Sequence, residues 1–273
     1  MIQSAVTVSL VPEAKGGPFV FWEDLSEACA KAAALGFDAI EIFPRSGEAL
    51  QVLPVEALLA NQKLKLAAVG TGAGWVLRRL SLTDPSSEVR GEARRFVGAV
   101  VDAAGRHGAP AIIGSMQGRW TGDVPREQAL AWLCEAIEEL GSRAERLGVP
   151  LLIEPLNRYE TNLLNRVEDS LAVLDSLGTG NVKLLCDLFH MNIEEETIAE
   201  SLGLAGKRLG HVHFVDSNRR PAGLGHLDYL PIAKALDDLG YAGFVSAEAL
   251  PFPTPAEAAT VTMATFRRLF RSD

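Results

Sequence analysis

The sequence predicts a single α/β domain, residues 1–273, of the (β/α)8 TIM barrel class, and three observations carry that expectation. Strand-length apolar runs alternate with segments of helical period along the whole chain, eight of each, as parallel strands joined by crossover helices require. The run Leu151, Leu152, Ile153 shows no polar alternation, which suits a strand covered on both faces. At 273 residues and 48% hydrophobic composition, the chain has the material for one large core and the length of one barrel. No composition shift or Pro/Ser linker marks a second domain.

The elements follow in order. Residues 5–11 read as the first strand, and 22–35 as a helix closed by Gly36, a residue that easily takes the left-handed C-cap conformation. Strand 37–43 (FDAIEIF) precedes a helix over 54–61. Strand 64–69 leads into TGAGW, whose glycines predict a loop, and then into a long helix over 85–107 with Ser86 or Ser87 as its cap. Strand 111–115 is followed by a helix over 125–147, where Leu130, Leu133, Ile137 and Leu140 recur at three and four. In the second half, strands 150–154, 182–187, 209–215 and 244–248 alternate with helices 167–177, 193–204 and 229–239. A terminal helix opens at Thr254-Pro255-Ala256-Glu257, a capping box with proline in the first turn.

The ends of the last four strands carry the chemistry. Glu154 directly follows an apolar run and Pro155 stops the ladder; Asp187 ends the sixth strand, His211 and His213 lie in the seventh, and Glu248 ends the eighth. One acid after one strand is commonly a helix cap or a solvated loop residue. Four on consecutive strands of a barrel converge on one mouth, where the active sites of this fold are built. Glu154, Asp187, His213 and Glu248 are therefore expected to bind one divalent metal ion. Three carboxylates and an imidazole suit Mn best, with Co or Mg next and Zn less suited. His211 and His213 share a strand face; the later one is assigned to the metal, and His211 to the core or to support behind it. Glu160, His190 and Arg219 fall in loops around the mouth, where they could hold a polyhydroxylated substrate. Trp75, Trp120, Phe189 and Phe252 are candidate apolar walls.

A formal charge of -9 disfavours a nucleic-acid groove or an anionic membrane surface, which call for clustered Lys and Arg. Three scattered cysteines fit neither a disulfide framework nor a CxxC metal site, so a reducing cytoplasm is expected. The N-terminus has no basic start, and no apolar run approaches the roughly 20 residues of a membrane helix.

With these residues located, EPLNRYETNLLN from Glu154, DLFHMNIEE from Asp187, GHVHFVDSNR from Gly210 and SAE ending at Glu248 resemble the sugar isomerase/epimerase group of xylose isomerase-like barrels. Within it, the ketose 3-epimerases typified by D-tagatose and D-psicose 3-epimerase are the most similar. The resemblance covers strands five to eight closely and the first half in architecture only. It implies that Glu154, Asp187, His213 and Glu248 bind metal, that Glu154 and Glu248 also move protons, and that Glu160, His190 and Arg219 hold substrate hydroxyls. It also implies a homodimer or homotetramer and, as the reaction, epimerisation at C3 of a free ketose through a cis-enediolate. Aldose–ketose or hydroxypyruvate-type isomerisation is the near alternative. A metal-dependent endonuclease of the same fold fits the acidic balance poorly, and a non-catalytic sugar-binding barrel is the remaining class.

Overall fold

The computed structural model describes residues 1–271. Its centre is a sheet of parallel strands: β1 (Gln3–Ser9), β2 (Ala39–Phe43), β3 (Lys65–Gly70), β4 (Ala111–Ile113), β5 (Leu151–Ile153), β6 (Val182–Asp187), β7 (Leu209–His213) and β8 (Phe244–Ala247). Each pairs with the next in chain order, and β8 returns to β1 with Gln3 opposite Phe244 and Val6 opposite Ala247. That last pairing closes the barrel. A two-residue strand, Phe21–Trp22, pairs with the end of β1.

Around it run α1 (Leu25–Leu35), α2 (Gly47–Gln51), α3 (Val55–Gln62), α4 (Ala73–Arg78), α5 (Ser87–Gly105), α6 (Arg126–Glu145), α7 (Val167–Ser176), α8 (Leu188–Glu194), α9 (Ile198–Ala205), α10 (Tyr229–Asp238) and α11 (Pro255–Phe270). Local chemistry sets most boundaries. Gly36 ends α1 at φ 85, Ser86 accepts from the Val89 N–H to start α5, and Thr254 accepts from the Glu257 N–H to start α11.

Several boundaries differ from the sequence expectation. The first helix begins at Leu25 because Asp24 accepts the Glu27 N–H at 2.9 Å; Trp22 instead joins the short strand. TGAGW is not a loop: Ala73 to Trp75 form the start of α4, whose residues pack against Met116 and Phe96 too closely for a side chain at Gly74. The helix expected over 193–204 is two, α8 and α9. Asp187 starts α8 early by accepting the Phe189 and His190 N–H groups, and Glu195, in extended conformation, breaks it. There Glu195 accepts from the Val167 N–H at 2.7 Å and from Ser201 Oγ at 2.9 Å.

Strand alternation decides which side chains enter the barrel. Glu41 on β2, Glu154 after β5, Asp187 on β6, His211 and His213 on β7 and Glu248 after β8 occupy inward positions. Two residues earlier, Leu152 and Leu185 pack with Ala68 and Ile112 in a small buried cluster apart from the main core. It forms an apolar floor beneath the polar layer, and full burial of each leucine contributes about 1.5–3 kcal/mol. The main core fills the space between strands and helices.

Candidate active site

The four side chains expected to form a cage meet at one point. Ligand atoms of Glu154, Asp187, His213 and Glu248 all lie within 4.8 Å of one another. His213 Nδ1 is central, at 3.1 Å from Asp187 Oδ2, 3.4 Å from Glu154 Oε1 and 3.5 Å from Glu248 Oε2. Such spacings suit donors sharing one cation at about 2.0–2.5 Å. Asp187 serves twice. Its Oδ1 caps α8, accepting at 2.7 and 3.0 Å, which turns Oδ2 towards the cage.

The donor set fits a divalent ion on two further grounds. Glu154 Oε1 is buried and has no hydrogen-bond partner, a state costly to a carboxylate unless a cation answers it. The acids also strain one another electrostatically. Burial pushes the Glu248 carboxyl up to about 8, with Glu154 and Asp187 adding to the rise while His213 and Arg219 oppose it. Burial opposes protonation of His213, yet Glu248, Glu41, Asp187 and Glu154 raise its proton affinity well above the ordinary imidazole range. A bound cation would relieve both shifts.

The loop residues form the next ring. Arg219 Nη1 donates to Glu160 Oε1 at 2.8 Å and Nη2 to Glu248 Oε2 at 3.1 Å, with the guanidinium 4.8 Å over the Phe189 ring. Arg219 itself sits at φ 59, an uncommon conformation for a non-glycine residue and one that clusters at functional sites. His190 accepts at Nδ1 from the Asn157 backbone N–H at 3.2 Å, and Asn157 Nδ2 lies at 2.7 Å. This places the ring proton on Nε2, which has no partner and stands 3.9 Å from Glu154 Oε1. All seven expected site residues are thus brought into one neighbourhood. Of the candidate walls, Trp75 lines the cavity and Phe189 underlies Arg219, whereas Trp120 and Phe252 are outside the lining. His226 is a loop residue whose N–H donates to Ser217 Oγ.

Three contributors escaped the sequence reading. Glu41 accepts from His211 Nε2 at 2.8 Å and from His213 Nε2 at 3.1 Å, fixing the His213 proton on Nε2 and leaving Nδ1 for the cage. Burial works against its charge, but His213 and His211 hold the Glu41 carboxyl well below the ordinary carboxylate range. Gln117 donates to the Glu154 backbone oxygen at 2.9 Å. At Gly114, a Cβ would stand 2.5 Å from Glu154 Oε2, so a side chain there would force that carboxylate to move. Glu41 is the one acid in its strand, but its alternation with Ile40 and Ile42 reads as a solvent-facing position.

A closed barrel with this cage defines a class, and the comparison with known sequences agrees: the chain belongs to the Xylose isomerase-like TIM barrel family, whose profile matches residues 29–269. Among its relatives, a D-psicose 3-epimerase of Ruminiclostridium cellulolyticum is 30% identical over 244 residues, covering 84% of this chain and 81% of that one. An L-ribulose 3-epimerase of Methylomonas sp. is 34% identical over 224 residues, covering 81% and 77%. The crystal structure of a Methylomonas D-allulose 3-epimerase shares the fold with a TM-score of 0.84 over 98% of each chain, at 24% identity. The chain is an enzyme of the isomerase class. No helix among the described residues is long and apolar enough to cross a membrane.

Proposed function

We propose that this enzyme is a divalent-metal-dependent ketose 3-epimerase, inverting the hydroxyl-bearing carbon next to a ketone. The observation that carries the reading is the approach of two carboxylates, from strands five and eight, to one imidazole nitrogen at 3.4 and 3.5 Å. Inversion requires a proton to leave one face of a carbon and another to arrive on the opposite face, so it needs two such groups. Glu154, Asp187, His213 and Glu248 would hold the ion, with Mn favoured over Co and Mg by the same donor chemistry. When bound, the ion supplies Lewis-acid polarisation of the ketone oxygen.

The remaining steps belong to the chain. Glu154 and Glu248 exchange the C3 proton, one taking it and the other returning it, so the intervening state is a cis-enediolate of the sugar. A carboxyl whose proton affinity has been lifted by burial, as at Glu248, is a stronger base than a surface carboxylate. Arg219 orients Glu248 and Glu160, and His190, with its unpartnered Nε2–H near Glu154, would donate to a substrate hydroxyl. Isomerisation, between aldose and ketose or of the hydroxypyruvate type, is the second reading, because a 2-oxo-tetronate isomerase of Cupriavidus necator is 30% identical over 227 residues.

The deciding experiment assays ketohexoses and ketopentoses after chelation and re-addition of Mn, Co or Mg, with deuterium uptake at C3 and product identity followed by NMR. Epimers labelled at C3 are expected; aldose products would establish the isomerase instead. Glu248→Gln should lose about 100-fold or more of the turnover, and a Glu248→Gln enzyme of near-normal activity would end the two-carboxylate mechanism.

A further inference from the structure

The cage occupies only one end of the cavity into which it opens. That cavity measures about 760 Å³. Volumes of about 300–1,000 Å³ suit drug-sized ligands, whereas a hexose has only about a dozen heavy atoms. The surplus space lies under the loops of the first half of the barrel, where Phe19, Phe43, Trp75 and Val76 make an apolar wall. Phe19 and Phe43 are packed ring to ring at 4.5 Å. Trp75 is different: it is 36% exposed, and Arg79, which does not line the cavity, lies over its ring at 5.1 Å. One face of the indole is thereby covered, while the residue still lines the cavity. On the loop after β5, Tyr159 also lines the space, 77% exposed and next in sequence to Glu160.

Charge in this outer region is balanced. Lys15 and Arg119 line it together with Glu13 and Asp84, and of the charges behind them Arg45, paired with Glu13 at 2.6 Å, is matched by Glu23, 3.9 Å from Lys15. A phosphate or carboxylate substituent would find no net positive field there. A neutral ring with an apolar C–H face, laid against an exposed indole, is the better complement. The cage makes a compatible demand, since the chemistry proposed above needs only a ketone beside a hydroxyl. A pyranoside with a ring ketone presents that pair without ring opening, and its glycosidic bond can carry a second ring towards Trp75.

Resting on the metal-dependent epimerase reading, we propose that the preferred substrate is a neutral keto-glycoside of disaccharide size, with its ketone-bearing ring at the cage and its second ring against Trp75. The test compares two compounds that share the ketone-bearing ring, methyl 3-keto-β-D-galactopyranoside and 3-ketolactose, with D-fructose as the small ketose. Deuterium uptake beside the ketone is followed on the Mn-loaded enzyme. We expect 3-ketolactose to show at least a tenfold higher kcat/KM than the methyl glycoside, expressed mainly in KM. Trp75→Ala should collapse that ratio towards one and Trp75→Phe should restore most of it. Trp120→Ala, at an exposed residue outside the cavity lining, should keep the ratio. Equal kcat/KM for the two keto-glycosides, or a ratio indifferent to Trp75→Ala, overturns the outer subsite while leaving the epimerase reading intact. Exchange with none of the three compounds would instead overturn that reading, and this inference with it.

Discussion

Glu41→Gln keeps the size of a buried side chain and removes its charge. Its two oxygens accept from His211 and His213 at 2.8 and 3.1 Å, and the exposures of Glu41, His211 and His213 are only 4%, 1% and 1%. A carboxamide has one acceptor oxygen, so one imidazole N–H would face an NH2 group. Losing a charge-assisted hydrogen bond in such a place costs about 2–3 kcal/mol, and loss of a carboxylate behind a metal-binding histidine lowers metal affinity about 10–100-fold. The pH dependence is the sharper reading. Against burial, Glu248, Glu41, Asp187 and Glu154 keep the proton on His213 well above the ordinary imidazole range. Without the Glu41 charge that proton is held less tightly, and a metal ion competes with it for Nδ1. The pH midpoint of metal binding should therefore move down, while affinity above the midpoint falls. Calorimetric titration of Mn into chelator-treated protein at a series of pH values reads both, and saturating Mn should recover most of kcat. Simple loss of packing would weaken binding at every pH and leave the midpoint in place. A stationary midpoint, or high-pH affinity within twofold of the native protein, refutes this role for Glu41.

Further outcomes follow from the same cluster. In metal-free protein, folding lifts the Glu248 carboxyl from 4.5 to about 8. The native state then keeps a proton that the unfolded chain has released, so stability falls as pH rises between those values, by at most about 5 kcal/mol. His213, raised from 6.5, contributes stability that is present below 6.5 and lost as pH rises through its folded value, which adds in the same direction. Thermal melts in chelator should drop in midpoint from pH 5 to pH 8, and a rising midpoint would contradict this account. Metal binding near pH 7 should release about two protons, from His213 and Glu248; calorimetry in buffers of different ionisation enthalpy counts them, and a release below one speaks against the cage. Gly114→Ala would put a methyl 2.5 Å from Glu154 Oε2. We expect about 1–3 kcal/mol lost to overpacking and at least a tenfold weaker metal affinity, measured by melts and titration; unchanged affinity would show that Glu154 has room to move.

How legible the site was depends on where each residue stands relative to a strand end. Glu154, Asp187, His213 and Glu248 end or follow apolar runs, and a charge placed there announces itself. Glu41 gives the opposite impression: in FDAIEIF it alternates with Ile40 and Ile42 as a solvent-facing residue of a half-buried strand would. Only closure of the sheet turns that face inward, where Glu41 is 4% exposed. His211 could be assigned to the core, but its partner lies 170 residues away and no local pattern names it. The misread TGAGW has a related cause. Glycine there answers contact with Phe43 at Gly72 and with Met116 at Gly74, not the need for a turn, so its local meaning was invisible without the neighbours.

The crossing of Glu41 to β7 depends on what the intervening strands leave empty. Thr7 of β1 lies opposite Glu41 in register, and Ser246 of β8 lies opposite His213. Both side chains are small. Thr7 Oγ1 is engaged sideways, donating to the Ala247 oxygen at 2.8 Å and accepting from the Val20 N–H at 3.1 Å, which keeps it clear of the barrel centre. Had either position carried a leucine, the interior at that level would be filled and Glu41 could not reach an imidazole three strands away. The cage drawn from the last four strands is thus held from behind by the first two. One acid essential to the geometry of the second half therefore stands in the first. Support from that half comes from Glu41 on β2 and, after β4, from Gln117 and Gly114 beside Glu154, while its outer loops shape the wall around Trp75.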